Sequence, residues 1–146
     1  MNVADLIRPV RRWAGRIEAW EVARFGRSGL SVLFRRPVLV LHTTGRRSGR
    51  ERRTPLAYRE LDGAYVVVGG AGGQTAVPDW VLNVRSEPAV RLTVDRRSCA
   101  AVATELHGVE RQAMWDRLLP EMPVIAKYER RAGRPIPVLV LHPVER

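Results

Sequence analysis

The chain has 146 residues, 45% of them apolar, which is enough for one domain with a sizeable core and too apolar for a disordered chain. A single cysteine, Cys99, excludes a disulfide framework and a multi-thiolate metal site within the chain, and His42, His107 and His142 are too scattered to suggest a metal site. The net charge of +10 is concentrated: residues 1–53 carry thirteen arginines against Asp5, Glu18, Glu21 and Glu51, a local net of +9, so an acidic partner is expected to meet the first third of the chain.

In chain order, Val3, Leu6, Ile7, Val10, Trp13, Ala14, Ile17 and Trp20 recur at spacings of three and four, which predicts an amphipathic helix over residues 1–26. Such a helix either docks on the core or lies at an anionic membrane interface, where tryptophan and arginine are both favoured. No run reaches membrane-spanning length and no signal-peptide core is seen, so a cytoplasmic protein is expected, with membrane contact limited to the surface. Residues 1–36 read as this helix and a connector, and 37–146 as the main domain. Val38 to Thr43 is an apolar, β-branched strand run. Leu56 to Glu60 and Ala64 to Gly69 flank Asp62-Gly63, a hairpin signal.

The segment Gly69-Gly70-Ala71-Gly72-Gly73 then lets the backbone approach a ligand or serve as a linker. Pro78 to Arg85 predicts a short helix with Asp79 near its start, stopped by Glu87-Pro88. Val90 to Asp95 and Ser98 to Glu105 predict a second hairpin, Val109 to Leu119 and Val124 to Arg131 two helices, and Ile136 to Leu141 a last strand. Hairpins with small helical insertions and no βαβ alternation favour an α+β, mainly β fold: a β-barrel with peripheral helices.

Residues 45–53 hold five arginines and two glycines, and the chain returns to strand-like sequence at Leu56. That composition fits an anion cradle. Glycines admit close approach, Thr44 and Ser48 offer hydroxyls, and guanidinium forks match phosphate or carboxylate oxygens two at a time. The alternative is a solvated basic turn. No phosphate-binding Walker loop, dinucleotide fingerprint or serine-hydrolase elbow is present, and His42, ending an apolar run, reads as a hydrogen-bonded core residue.

The segments Thr43 to Arg52, Pro55-Leu56, Gly72-Gly73, Pro78 to Asn83, Glu87-Pro88 and Arg134-Pro135-Ile136-Pro137-Val138 resemble, in order and spacing, the deazaflavin-dependent nitroreductase and quinone reductase family of actinobacteria. The resemblance covers roughly residues 38–143. It implies a split β-barrel like that of proteins binding flavin mononucleotide (FMN). It also implies coenzyme F420, an 8-hydroxy-5-deazaflavin, whose reduced form gives a hydride to quinones or nitroaromatics. By that resemblance Arg46, Arg47 and Arg52 hold the coenzyme's phosphate and carboxylates, with Ser48, Gly49 and Thr54 completing the cradle. Gly70, Ala71, Gly72 and Gly73 lie against the ring, Trp80 and Asn83 form its wall, and Tyr128 is the candidate proton donor.

Two departures stand out. Gly70 and Ala71 replace the serine and lysine common in the family, and Met122 and Ile125 stand where further tyrosines are expected beside Tyr128. These leave room for a member of the fold that binds FMN, FAD or haem without turnover. A basic nucleic-acid binder is a less favoured alternative, since Trp13, Trp20, Trp80 and Trp115 do not alternate with the basic residues.

Overall fold

A computed structural model describes residues 37–70 and 73–144; the expected N-terminal helix and connector, Ala71 and Gly72 lie outside them. Seven strands and three helices follow: β1 Val38–Thr44, β2 Glu51–Ala57, β3 Arg59–Leu61, β4 Ala64–Val68, α1 Asp79–Ser86, β5 Ala89–Val94, β6 Arg97–Glu105, α2 Gly108–Leu118, α3 Val124–Ala132 and β7 Val138–Pro143. All neighbouring strands are antiparallel, in the order β2-β1-β5-β6-β7-β4-β3.

The two outermost strands are consecutive in the chain, separated by Tyr58 alone. One bent strand therefore pairs with β1 through its first part and with β4 through its second, and the sheet curls on itself. Tyr58 marks the bend, where its N–H donates to Pro37 O at 3.3 Å. Closure leaves few strand edges open to another chain. The hairpins form where turn chemistry allows positive φ: Asp62 (52°) and Gly63 (80°) as the Asp-Gly pair predicts, and Asp95 (49°) and Arg96 (67°) without a glycine.

Two-residue periodicity sorts the side chains. Leu39 and Leu41 point into the barrel with Val67, Leu92, Leu139 and Leu141, while α1 plugs this interior with Trp80, Val81 and Val84. A second cluster on the outer side of β4 and β7 packs Val66 and Val140 against Trp115 and Leu118 of α2 and Ile125 of α3. Each fully buried leucine or isoleucine here contributes about 1.5–3 kcal/mol through removal from water. Glu129 locks the second layer: its Oε2 accepts from Arg111 Nη2 (2.8 Å) and from Ile136 N–H (3.1 Å), and Arg111 lies 4.4 Å over the Trp115 ring.

Two boundaries differ from expectation. The arginine segment is loop only to Arg50; Glu51, Arg52 and Arg53 are already strand, paired with Thr44, Thr43 and His42. The ladder to the apolar β1 overrides the weak strand preference of charged residues. Likewise β7 begins at Val138 rather than Ile136, because Pro137 has no N–H to give a ladder; its carbonyl instead accepts from Gly69 N–H at 2.8 Å.

Candidate functional site

The loop 45–50 closes on itself at one rim of the barrel. Gly45 N–H donates to Arg50 O (2.7 Å) and Gly49 N–H to Gly45 O (2.8 Å). A side chain at Gly45 would lie 2.8 Å from Ser48 Oγ and 3.0 Å from Arg50 O, and Gly49 sits at φ 71°, so both glycines are needed for this shape. Ser48 Oγ is used inside the loop, accepting from Arg50 N–H at 3.1 Å.

Arg46 faces inward. Its backbone N–H and its Nη1 both donate to Asn83 Oδ1, at 3.1 and 2.9 Å, and Nη2 lies 3.4 Å from Asp79 Oδ1. Asn83 is 3% exposed and belongs to α1. The pair therefore latches the arginine loop to the helix that plugs the barrel. Arg47, Arg50 and Arg52, by contrast, are exposed, and no guanidinium among these three pairs with a carboxylate among the described residues.

Strand register decides what the remaining arginines can reach. Arg52 lies opposite Thr43, on the face that lines the barrel with Leu41 and Thr54, whereas Arg53 lies opposite His42 on the outer face. Thr43 is buried, and its Oγ1 has no hydrogen-bond partner. An unsatisfied buried hydroxyl beside uncommitted arginines at the rim is a donor set suited to an anion's oxygens. A separate groove of about 550 Å³ runs between Gly45, Arg46 and Gly49 on one wall and Ser86, Glu87 and Ala89 on the other. The Arg46 guanidinium there is taken by Asn83 and Asp79, so the uncommitted positive charge lies with Arg47, Arg50 and Arg52.

On the outer face His42 is 3% exposed and fully bonded, as its place at the end of an apolar run predicts. Its Nδ1 lies 3.2 Å from Glu51 Oε1 and its Nε2 2.9 Å from Thr93 Oγ1, which continues to Ser98 Oγ at 3.0 Å. A carboxylate only accepts, so Nδ1 carries a proton toward Glu51, and Nε2 is bonded to the Thr93 hydroxyl. This histidine holds β1, β2 and β5 together behind the cradle.

The glycine segment occupies the same rim. Gly69 N–H is fixed by Pro137, and Gly73 N–H donates to Gly70 O at 2.7 Å. A Cβ at Gly70 would meet Tyr128 Cδ2 at 3.0 Å, and one at Gly73, which has φ 86°, would meet Arg131 at 2.9 Å. At these two described glycines the close approach is made by side chains of α3. Tyr128 is thus half-buried against Gly70, and Trp80 is a core residue of the barrel plug. Arg46 and Asn83 each carry a signal in the sequence but none that pairs them, and Arg134 carries none beyond its place in a motif.

An antiparallel barrel plugged by a short helix, with a basic hairpin loop and a glycine segment on one rim, defines a split-barrel protein of the flavin-coenzyme-binding type. The chain resembles an FAD-binding protein of Mesorhizobium loti in fold (14% identity, TM-score 0.54, covering 80% of this chain and 85% of that one). It is more similar to a solved F420-H2 dependent reductase, at 33% identity and a TM-score of 0.66 over 73% of this chain and 95% of the other. The family model of the F420H(2)-dependent quinone reductases matches residues 13–143. An F420H(2)-dependent quinone reductase of Mycobacterium tuberculosis (strain H37Rv) is 32% identical over 120 residues, 80% of each chain. The chain belongs to the F420H(2)-dependent quinone reductase family.

Proposed function

We propose that this protein is an oxidoreductase that uses reduced coenzyme F420 to reduce a small quinone-type acceptor. Family membership supports the reaction class. The observation that carries the reading to particular residues is the set of uncommitted arginines: Arg47 and Arg50 on a loop held by Arg46 and Asn83, and Arg52 at the start of β2. An anionic coenzyme tail is a chemical match for that set, and Thr43 and Thr54 add hydroxyls on the barrel-lining face.

When bound, the deazaflavin supplies the hydride, and the protein binds, orients and shields it. Arg47 and Arg52 take the tail's phosphate and carboxylate oxygens. Arg46, Ser48 and Gly49 keep the loop in shape, and Asn83 anchors it to α1. Trp80 of the barrel plug and the glycine segment that holds Gly70, Ala71, Gly72 and Gly73 would take the ring. Tyr128, resting on Gly70, is the candidate to hold the proton that accompanies hydride transfer to a quinone. The tryptophans and arginines among residues 1–36 are residue types favoured at an anionic membrane interface, and contact with such a surface belongs to this reading. Among the described residues no helix is long and apolar enough to cross a membrane.

Equilibrium titration of the purified protein with coenzyme F420, with FMN and FAD as comparators, tests this reading. Micromolar or tighter binding of the deazaflavin alone, with catalysed quinone reduction, is the expected result. Preference for FMN or FAD would overturn it and tie the change of ligand to Gly70 and Ala71.

A further inference from the structure

The segment from Gly69 to Ala76 has almost no side chains with which to fix its own shape. Its described residues are held from outside, at Gly69 by Val81 of α1 and otherwise by one stretch of chain, residues 128–137. Tyr128 packs on Gly70, Arg131 packs on Gly73, and Pro137 O accepts from Gly69 N–H. Arg134 adds contacts of its own. Its Nε donates to Thr75 O at 2.8 Å, and its Nη2 donates to Gln74 O at 3.1 Å and to Ala76 O at 2.9 Å. Three successive carbonyls thus converge on one guanidinium.

That convergence is not self-supporting. Carbonyl oxygens carry like partial charges, and three aimed at one point repel one another unless a cation sits among them. Arg134 is well placed to be that cation. Gly133, at φ 66°, ends α3 with a left-handed residue and turns the chain back, while Ile136, fully buried, anchors the far side. The planar fork is fixed at its base on both sides, so little side-chain freedom is lost in making the three bonds.

We propose that Arg134 is a positioning residue for the coenzyme site: by caging the carbonyls of Gln74, Thr75 and Ala76 it sets the shape of residues 73–76 before any ligand arrives. The coenzyme part of this rests on the function proposed above. A site shaped in advance loses affinity when the shaping contact is removed, because binding must then order the segment as well. The consequence falls mainly on coenzyme binding and less on the rate once the coenzyme is bound.

The test compares wild-type protein with Arg134→Ala and Arg134→Lys, the lysine variant keeping a cation at the cage so that folding and positioning are separated. Amide hydrogen exchange of the coenzyme-free proteins is read first. Exchange across residues 69–78 should be about tenfold faster or more in Arg134→Ala and intermediate in Arg134→Lys, with the barrel strands unchanged. The KM for reduced coenzyme should rise about tenfold in Arg134→Ala while kcat moves less than about threefold. Guanidinium chloride at about 10–50 mM should restore part of that loss, and the same concentration of sodium chloride should not, because only a planar cation refills the cage. Wild-type exchange in both variants, or a fall in kcat with KM unchanged, overturns the proposal. Failure of wild-type protein to bind the coenzyme overturns the proposed function instead, and exchange distinguishes the two because it is read without coenzyme.

Discussion

Replacing Asn83 with alanine tests whether the arginine loop is held by α1. The carboxamide oxygen accepts two bonds, one from the Arg46 backbone N–H (3.1 Å) and one from its guanidinium (2.9 Å). A neutral bond of this kind contributes about 1 kcal/mol net and a charge-assisted one about 1.5–3 kcal/mol. Arg46 is 24% exposed, so water takes over part of the charged bond, and the total loss should fall at about 2–3 kcal/mol. Arg46→Ala keeps the backbone bond and removes only the guanidinium contacts. Its contact with Asp79, 3.4 Å long and at an exposed carboxylate, contributes little. That variant should therefore lose about 1–1.5 kcal/mol, and the double variant should be about as stable as Asn83→Ala alone. Guanidinium denaturation midpoints of the four proteins give the cycle. Equal losses for the two single variants, or strict additivity in the double one, would refute the latch.

The exposed arginines should behave in the opposite way. Arg47→Ala and Arg52→Ala should each weaken coenzyme binding by about 1.5–3 kcal/mol while leaving stability within about 0.5 kcal/mol, and unchanged affinity in a titration would remove them from the cradle. Burial, with Asp95 nearby, pushes the Tyr58 hydroxyl from 10.0 to about 12. The unfolded chain therefore releases that proton first, and stability should fall as pH rises from 10 to 12, by about 1.4 kcal/mol per unit. Tyr58→Phe should flatten this alkaline slope in unfolding curves taken across the window; an unaltered slope would mean that other groups set it. Glu129→Ala strands the Ile136 N–H and one side of Arg111, which should cost about 2–4 kcal/mol by chemical denaturation. A cost below about 0.5 kcal/mol would show that water replaces the carboxylate.

Much of the fold was legible because its signals are local. The apolar, β-branched run Val38 to Thr43 marks a strand, Asp62-Gly63 fits a hairpin turn, and Glu87-Pro88 stops a helix through the backbone of adjacent residues. The candidate site was legible as a composition, five arginines and two glycines in nine residues. Composition did not tell those arginines apart. Arg52 and Arg53 face opposite sides because Glu51 to Ala57 pairs with β1, and that pairing depends on where the sheet closes.

What the sequence alone determined is therefore most of the elements within residues 37–144, the family motif and the location of the excess positive charge, all of which follow from residues a few places apart. The tertiary structure decided which arginine is a latch and which are free to bind. It paired Arg46 with Asn83, 37 residues on, and Arg134 with carbonyls 58 to 60 residues earlier. It also placed Tyr128 and Arg131 over Gly70 and Gly73. These partners are chosen by barrel closure at Tyr58 and by the packing of α1 and α3 on its rim, long-range outcomes that no local pattern encodes.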